Sequence, residues 1–501
     1  MSVLTSLARA LAVDRDAAQP IATVCHVHLS ERPLVLVPLT LAGEANAPLA
    51  AMVGDAPDDP RLLVVAQPRN RTERFAFAAD LAAIVVSYID GFCGEQETVP
   101  VDRGRDTRAR YVDAPQILVP NPGGIGFVRL LGRSTRFRRT EGEYAVHPLV
   151  PVLGKWLTFL AERAEYPGSS MLLAATDALA LHWATGQSAV EDQNLAALLA
   201  WIDPPPGVPA AQAAAEAENP LVWPPAGPAT DPTFDNEVLA PLVAAYDKAV
   251  AAEDEAAWRR AVAALESALR GQLEPTWRLM WRAVDLLRAL PPGERVATRW
   301  ARDRDAFTGY VEYLRDGGPP QARRDGAVAA AVRLDRLERA QAEYEAQRAL
   351  DDPLVMAEYR LVGEAFAGTV VAAEPDRVVA SGARRRLRPL ITVRTQDPVR
   401  LEPGAEVRAA PRLSQTAVVV SVSSVDDGME VVLELSGGMG RSLTPAPGTV
   451  PEVGERLCYS PFGGGHQPAP TFPSREETPW THGGPPPEYV PTDEDAAEEW
   501  S

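Results

Sequence analysis

Lysine is almost missing from this 501-residue chain: of the 49 basic side chains, all but Lys155 and Lys248 are arginine. A P-loop needs Gly-x-x-x-x-Gly-Lys-Ser/Thr, because the lysine reaches the terminal phosphates of the nucleotide. Gly154-Lys155-Trp156 has neither the spacing nor the hydroxyl, and Lys248 sits in an acidic helical stretch, so a P-loop ATPase is excluded. A restriction-type nuclease core with Asp…Glu-x-Lys around a metal also finds no lysine in the right frame. Cysteine is scarce too. Cys25, Cys93 and Cys458 are too far apart in sequence to build a disulfide framework, which points to a reducing, cytoplasmic setting. No run of about 18 apolar residues occurs, so no membrane span is expected. The best stretch, Met171 to Thr185, is interrupted by Asp177 and His182 and reads as a buried helix. The opening MSVLTSLARALAVDRD is broken by Arg9 and Asp14 and does not read as a secretory signal.

Positive charge is in deficit as well. The net charge of −19 repels phosphate backbones at long range, so any nucleic-acid contact must come from a local basic patch. Apolar residues make up 46 %, enough for real cores. Glycine (36) and proline (47) are plentiful but stay below the roughly 25–30 % of low-complexity chains. At about 150 residues per domain, the length allows about three domains.

Patterning along the chain predicts a multidomain α+β protein. Residues 1–202 read as an α+β domain, with strands at Ile21–Leu29, Leu34–Leu41, Leu62–Ala66, Gln116–Val119 and Gly126–Leu131. Its helices are expected over Phe75–Tyr88, Pro148–Ala164, Ser170–Thr185 and Val190–Trp201. Residues 203–233 form a Pro/Ala-rich linker, extended and exposed, with Trp223 tacked to a surface. Residues 234–366 read as a helical domain: Asn236–Ala252, Glu255–Leu269, Pro275–Leu290, Arg295–Leu314, a long charged arm over Arg324–Ala349, and a last helix starting at Asp352-Pro353. Period-two patterning over 367–460, with a hairpin turn at Asp426-Asp427-Gly428, predicts a small β-barrel. Residues 461–501 form an acidic tail, eight acids against one arginine, that cannot bury enough to order itself. Its Trp480, Tyr489 and Trp500 are expected to dock on a partner, the competing reading being a tail packed back on its own barrel.

Two arginine clusters stand out. Arg384-Arg385-Arg386 with Arg388, followed by Arg394 and Arg400, faces one acid, Asp397; guanidinium forks suit phosphate. Arg129, Arg133, Arg136, Arg138 and Arg139 enclose Phe137 without an acid, and on a strand Arg136 and Arg138 would share a face. Both clusters have a competing reading as solvated surface in an arginine-biased chain, and the second also as an interface to an acidic partner or to the tail. Pro122-Gly123-Gly124-Ile125-Gly126 lacks the dinucleotide-fingerprint spacing and reads as a turn between strands. Cys25-His26-Val27-His28 has no second Cys/His pair to complete a zinc site. Asp58-Asp59 reads as an exposed loop. Cys93 or Cys25 with His147 or His182 would be needed for a cysteine nucleophile, and no local motif supports one. No catalytic residue, metal or cofactor is assigned.

The arm DRLERAQAEYEAQRAL leads into GTVVAAEPDRVV, ITVRTQDPVRLEPGAEV and VVVSVSSVDDGMEVVLEL. This stretch, about Arg324 to Tyr459, resembles the stalk-and-barrel accessory element of superfamily 1 helicases of the nonsense-mediated-decay and nuclease-helicase type. In that family the barrel rides on the stalk and helps clamp the strand. The family's motor domains are missing here. The resemblance therefore implies an accessory subunit, binding nucleic acid through arginine clusters beside a separate helicase-type ATPase, in bacterial DNA processing or phage defence. Two alternatives stand beside it: a metal-dependent nuclease or hydrolase in residues 1–202, and a pure protein–protein scaffold.

Overall fold

Two seven-residue strands, Leu34–Thr40 (LVLVPLT) and Pro48–Gly54 (PLAAMVG), are buried at every position. Neither alternates apolar with polar, which is the pattern of a strand covered on both faces. A computed structural model, describing residues 3–44, 47–101, 105–322, 325–381, 384–463, 470–474 and 477, places them in a five-stranded sheet. The spatial order is Arg61–Val64, Pro48–Gly54, Leu34–Thr40, Ile117–Val119, Leu172–Ala174. The first three form an antiparallel meander, and the last two join parallel to Leu34–Thr40.

Pleating divides these side chains between two cores. Leu34, Leu36, Ala51, Val53, Ile117 and Val119 face one core, shared with helices Arg71–Asp90, Pro122–Thr135, Leu149–Ala164 and Val296–Arg315. Val35, Val37, Leu39, Ala50, Met52 and Leu118 face the other, covered by Ala175–Ala180, Leu195–Ile202 and Glu255–Arg288. The mixed α/β layering corrects the expected boundaries: residues 1–202 and the helices up to Arg315 build common cores rather than separate domains. The chain divides instead into two compact units, chiefly Thr5–Gln341 and Ala342–Thr471.

Several local expectations change for physical reasons. The two helices expected on either side of Pro275 are one, Glu255–Arg288. Its buried face, Leu265, Leu269, Leu273, Trp277, Met280, Val284 and Leu287, keeps a helical spacing straight through the proline. A proline in a helix interior costs about 3 kcal/mol, while each apolar side chain buried beyond it returns about 1.5–3 kcal/mol. Gly126–Leu131 is helix rather than strand. Asn121 accepts the Gly124 N–H at its N-cap, Pro122 takes the first turn, and the glycine-rich start becomes the opening of Pro122–Thr135. Ile21–Leu29 forms only an isolated bridge, Cys25 to Pro292. The Met171–Thr185 stretch splits into strand Leu172–Ala174, helix Ala175–Ala180 and a two-residue strand Trp183–Ala184 paired with Gln19–Pro20. The linker is not merely extended: Ala210–Glu218 is helical, its Ala210, Ala213, Ala214 and Ala217 are buried beside Ala12 and Trp201, and Trp223 packs on that cluster. The charged arm forms the helix Ala327–Asp351.

In the second unit six antiparallel strands close into a ring: Phe366–Glu374, Leu390–Thr395, Gly428–Ser436, Thr416–Val425, Glu406–Ala409, Arg456–Ser460 and back to the first. Alternate residues, including Ile391, Val393, Val431, Leu433 and Leu435, fill its interior. Register shifts between Val370 and Ala372 and between Val419 and Ser421 add the local twist that closure needs. Gly428 has φ +121°, and a Cβ there would lie 2.2 Å from the Thr395 carbonyl oxygen, so only glycine serves at this turn. A separate hairpin, Val378–Ser381 with Arg384–Leu387, is not part of the ring.

In the first unit, Asp303 ties helix Val296–Arg315 to its neighbours. It is 1 % exposed and accepts hydrogen bonds from Arg163 Nη2 (2.6 Å), Ser169 Oγ (2.8 Å) and the Ser170 N–H (2.7 Å). Asp303→Ala leaves the Arg163 guanidinium without its counter-charge. A loss of about 3–5 kcal/mol is expected, read from urea denaturation of the full chain; a loss within error of zero would show that the carboxylate is not a tie.

Candidate functional site

Connections leave the Leu34–Thr40 strand toward one sheet edge and return on its other side at Ile117–Val119. In open α/β sheets the crevice at such a reversal, outside the carboxyl ends of the strands, is where ligands usually bind. Here a strand, the Asn121 cap and a glycine-rich helix start stand at that place. The crevice is filled by the chain's own segment around Pro228. Thr40 N donates to Pro228 O (2.6 Å), Thr230 N donates to Thr40 O (3.0 Å), and Asn121 Nδ2 donates to Gly227 O (2.9 Å). A Cβ on Gly123 would lie 2.5 Å from Pro228 Cδ. Gly123 therefore makes room for protein rather than for phosphate.

The histidines and cysteines near the N-terminus are core groups. His182 Nε2 accepts the His26 N–H at 2.9 Å, and its Nδ1 lies 2.6 Å from Ala178 O, so both ring nitrogens are engaged. Cys25 is buried, its Sγ donates to Val27 O, and burial pushes the thiol pKa up. Burial likewise raises the Cys93 thiol. Neither is an activated nucleophile. His28 stacks on Trp300 at 3.9 Å between ring centroids; burial lowers its pKa to about 4, with Asp113 opposing and Arg304 reinforcing that shift. Among the described residues, no three His, Cys, Asp or Glu side chains converge as a metal set.

One site was not legible from sequence. A cleft of about 520 Å³ lies where Arg32, Asp55, Asp59, Tyr88 and Asp113 approach each other from distant parts of the chain. Arg32, Asp55, Tyr88 and Asp113 each have a hydrogen-bond partner. Arg32 pairs with Asp55 at 2.5 Å, Asp113 accepts the Trp300 Nε1–H at 2.8 Å, and Tyr88 Oη lies 2.9 Å from Arg32 O and 3.0 Å from Gln116 O. Burial raises the Tyr88 pKa, so the phenol stays protonated. No short-range pattern links these positions.

The arginine run from Arg129 to Arg139 does not form the expected strip. It straddles the end of helix Pro122–Thr135. Arg136 is 4 % exposed and donates to the carbonyls of Gln321 (2.8 Å) and Ala322 (3.2 Å), which removes it from an exposed basic strip. Arg138 donates to Ser134 O and lies over the Phe75 ring at 5.3 Å. Arg129 pairs with Glu165 at 2.8 Å. Arg133 and Arg139 remain exposed.

In the ring unit the expected cluster also divides. Arg394 faces Glu430 directly across the strand pair and binds it at 2.5 Å, and Arg388 lies 3.6 Å from Glu434. Asp397, expected as the cluster's lone acid, is taken by Arg360 at 2.7 and 2.9 Å. The Arg394–Glu430 pair follows from cross-strand pairing of opposite charges, whereas Arg360 reaches Asp397 from helix Pro353–Val362. Arg385 and Arg386 differ. They lie on the Arg384–Leu387 strand of the separate hairpin, are exposed, and make no ion pair among the described residues. The side chain of Arg384 lies outside the described residues, as do Trp480, Tyr489 and Trp500. No helix among the described residues is long and apolar enough to cross a membrane.

No known family model, characterised protein or solved structure matches this chain.

Two outcomes are expected here. Gly123→Ala forces Pro228 away, and hydrogen–deuterium exchange should rise at Thr40 and Thr230, whose N–H groups bond across that contact; unchanged exchange would mean that the contact is not tight. The lowered His28 pKa means that the folded protein binds fewer protons than the unfolded chain. Stability is then complete above about pH 6.5 and falls as pH drops toward about 4. His28→Phe, which keeps an aromatic against Trp300, should flatten that part of the unfolding profile, and an identical profile would refute the assignment.

Proposed function

We propose that this chain is a non-catalytic accessory subunit of a nucleic-acid-processing complex, in which a separate helicase-type ATPase supplies the motor. The observation that carries the reading is the hairpin beside the ring, which presents Arg385 and Arg386 to solvent with no carboxylate engaged to either among the described residues. The closed ring, read as a small β-barrel, and the long charged helix Ala327–Asp351 support the stalk-and-barrel resemblance. Successive residues on a strand point to opposite faces, so Arg385 and Arg386 extend to the two sides of the hairpin. That arrangement suits a ribbon flanked by phosphates on both sides rather than a flat basic surface. The filled crevice at the sheet reversal supports a role without chemistry in the first unit. The acidic remainder of the chain confines contact to these local cations and limits non-specific binding.

The hairpin is tested with the full-length protein and short oligonucleotides, duplex and single-stranded, titrated across salt. Arg385→Ala/Arg386→Ala should weaken binding and lower the slope of log K against log salt by about 1.4–1.8, since each phosphate contact contributes about 0.7–0.9. An unchanged slope would remove the hairpin from the interface. Cleavage or turnover by the purified chain, lost on carboxylate substitution in residues 1–202, would overturn the non-catalytic assignment.

A further inference from the structure

We propose that a recess in the first unit, lined by Arg129, Arg133, Arg136 and Arg333, is a binding site for a single phosphate group. This does not depend on the hairpin being a nucleic-acid contact. Arg129, Arg133 and Arg136 are spaced by four and three residues and so fall on one face at the end of helix Pro122–Thr135. Arg333 comes from helix Ala327–Asp351, and Glu162 and Glu165 stand at the end of Leu149–Ala164. The space between them is about 190 Å³, with Thr158 and Asp325 completing its polar wall.

The charges do not cancel. Glu165 is shared by Arg129, at 2.8 Å, and Arg333, which also reaches Asp325 at 3.4 Å. Arg136 is fixed by the Gln321 and Ala322 carbonyls. Among the described residues, four guanidinium groups thus line the recess against three carboxylates. Arg133 is exposed at its rim and forms no ion pair among the described residues. An ion-pair network that only pins three helices together would be complete without Arg133; its presence leaves a surplus fork aimed at the same space.

The neighbouring helix ends sharpen the chemistry. Both Pro122–Thr135 and Leu149–Ala164 present C-terminal ends here, whose dipoles favour cations. The backbone therefore offers an anion no help, and the affinity must come from the guanidinium forks. Arginine meets phosphate oxygens with parallel hydrogen bonds, a match that a compact tetrahedral dianion fits better than a bulky apolar acid in a polar recess of this size. The phosphate could be carried by a free small molecule or by the end of a nucleic-acid strand.

The test is calorimetry on the full chain in excess chloride, with three probes: inorganic phosphate, a 5′-phosphorylated oligonucleotide, and the same oligonucleotide with a 5′-hydroxyl. Inorganic phosphate should bind, and Arg133→Ala should weaken it about tenfold, the effect of losing one charge-assisted contact. Arg385→Ala/Arg386→Ala should leave phosphate binding unchanged. In that hairpin-deficient background, tighter binding of the 5′-phosphorylated strand than of the 5′-hydroxyl strand identifies a strand end as the source; equal binding assigns the site to a free phosphate compound. Absence of phosphate binding, or phosphate binding unaffected by Arg133→Ala, overturns the proposal. Because Arg133 is exposed, its replacement is expected to leave the melting temperature unchanged in the absence of phosphate, which separates loss of the site from loss of the fold.

Discussion

The first unit depends on a sheet with no free face. Because the side chains of each strand alternate, Leu34 and Leu36 enter one core while Val35, Val37 and Leu39 enter the other. Each core must then be covered, and the residues before 202 do not complete the covering. Glu255–Arg288 and Val296–Arg315 supply the remainder from far along the chain, one on each face. Much of the rest follows from that requirement. Returning over the sheet brings the Pro228 segment into the crevice at the strand reversal. The position of Val296–Arg315 puts Trp300 against His28 and the carboxylate of Asp303 beside Arg163. Helices that look autonomous in sequence are thus parts of a shared interior.

That dependence also explains which features could be read beforehand. Signals contained within one element were legible. The continuous apolar run LVLVPLT, the Asp-Asp-Gly turn with its positive-φ glycine, and the Asp352-Pro353 helix start were all read correctly from local sequence. Asp352 indeed caps its helix, accepting the Leu354 N–H, and Gly363 ends it in the left-handed conformation. Signals that depend on a distant partner were not legible. Pro275 reads as a break unless Leu265, Leu269, Trp277 and Met280 are known to share one buried face. Gly123 reads as a turn unless Pro228 is known to press on it. The approach of Arg32, Asp55, Tyr88 and Asp113 has no sequence signature at all, because four separate segments contribute to it.

The candidate cation sites divide along the same line. A count of arginines in a window treats each as available, whereas availability is decided by partners that the window does not contain. Arg394 and Glu430 are 36 positions apart and lie opposite one another in the ring. Arg136 and the Gln321 carbonyl are 185 positions apart. Of the clustered arginines, Arg394 lies on the regular strand pairing of the ring and is neutralised by Glu430 across the ladder, where opposite charges stabilise and like charges would not. The hairpin escapes this because it has only one neighbouring strand, and the residues opposite Arg385 and Arg386 are Ala380 and Val379, with no charge to offer.

The scarcity of lysine then gains a structural meaning beyond what it excludes. Loops in the first unit are repeatedly held by guanidinium groups donating to backbone carbonyls. Arg288 reaches Ser30 O and Glu31 O, Arg299 reaches His26 O, Arg304 reaches Val112 O, and Arg136 spans Gln321 O and Ala322 O. A guanidinium keeps its charge when buried and its planar fork can satisfy two carbonyls at once, whereas an ammonium group is a point charge that loses its proton more readily when desolvated. Arginine in this chain is therefore first a device for closing loops over a sheet that must be covered on both sides. Arg385 and Arg386 on the hairpin and Arg133 at the rim of the recess are not used in that task; they are exposed and form no ion pair among the described residues, so they can meet an anion from outside. Exposed arginines without an ion pair occur elsewhere among the described residues, Arg260 and Arg441 for example; what sets these three apart is their setting, two adjacent on a hairpin strand and one at a recess lined by further guanidinium groups.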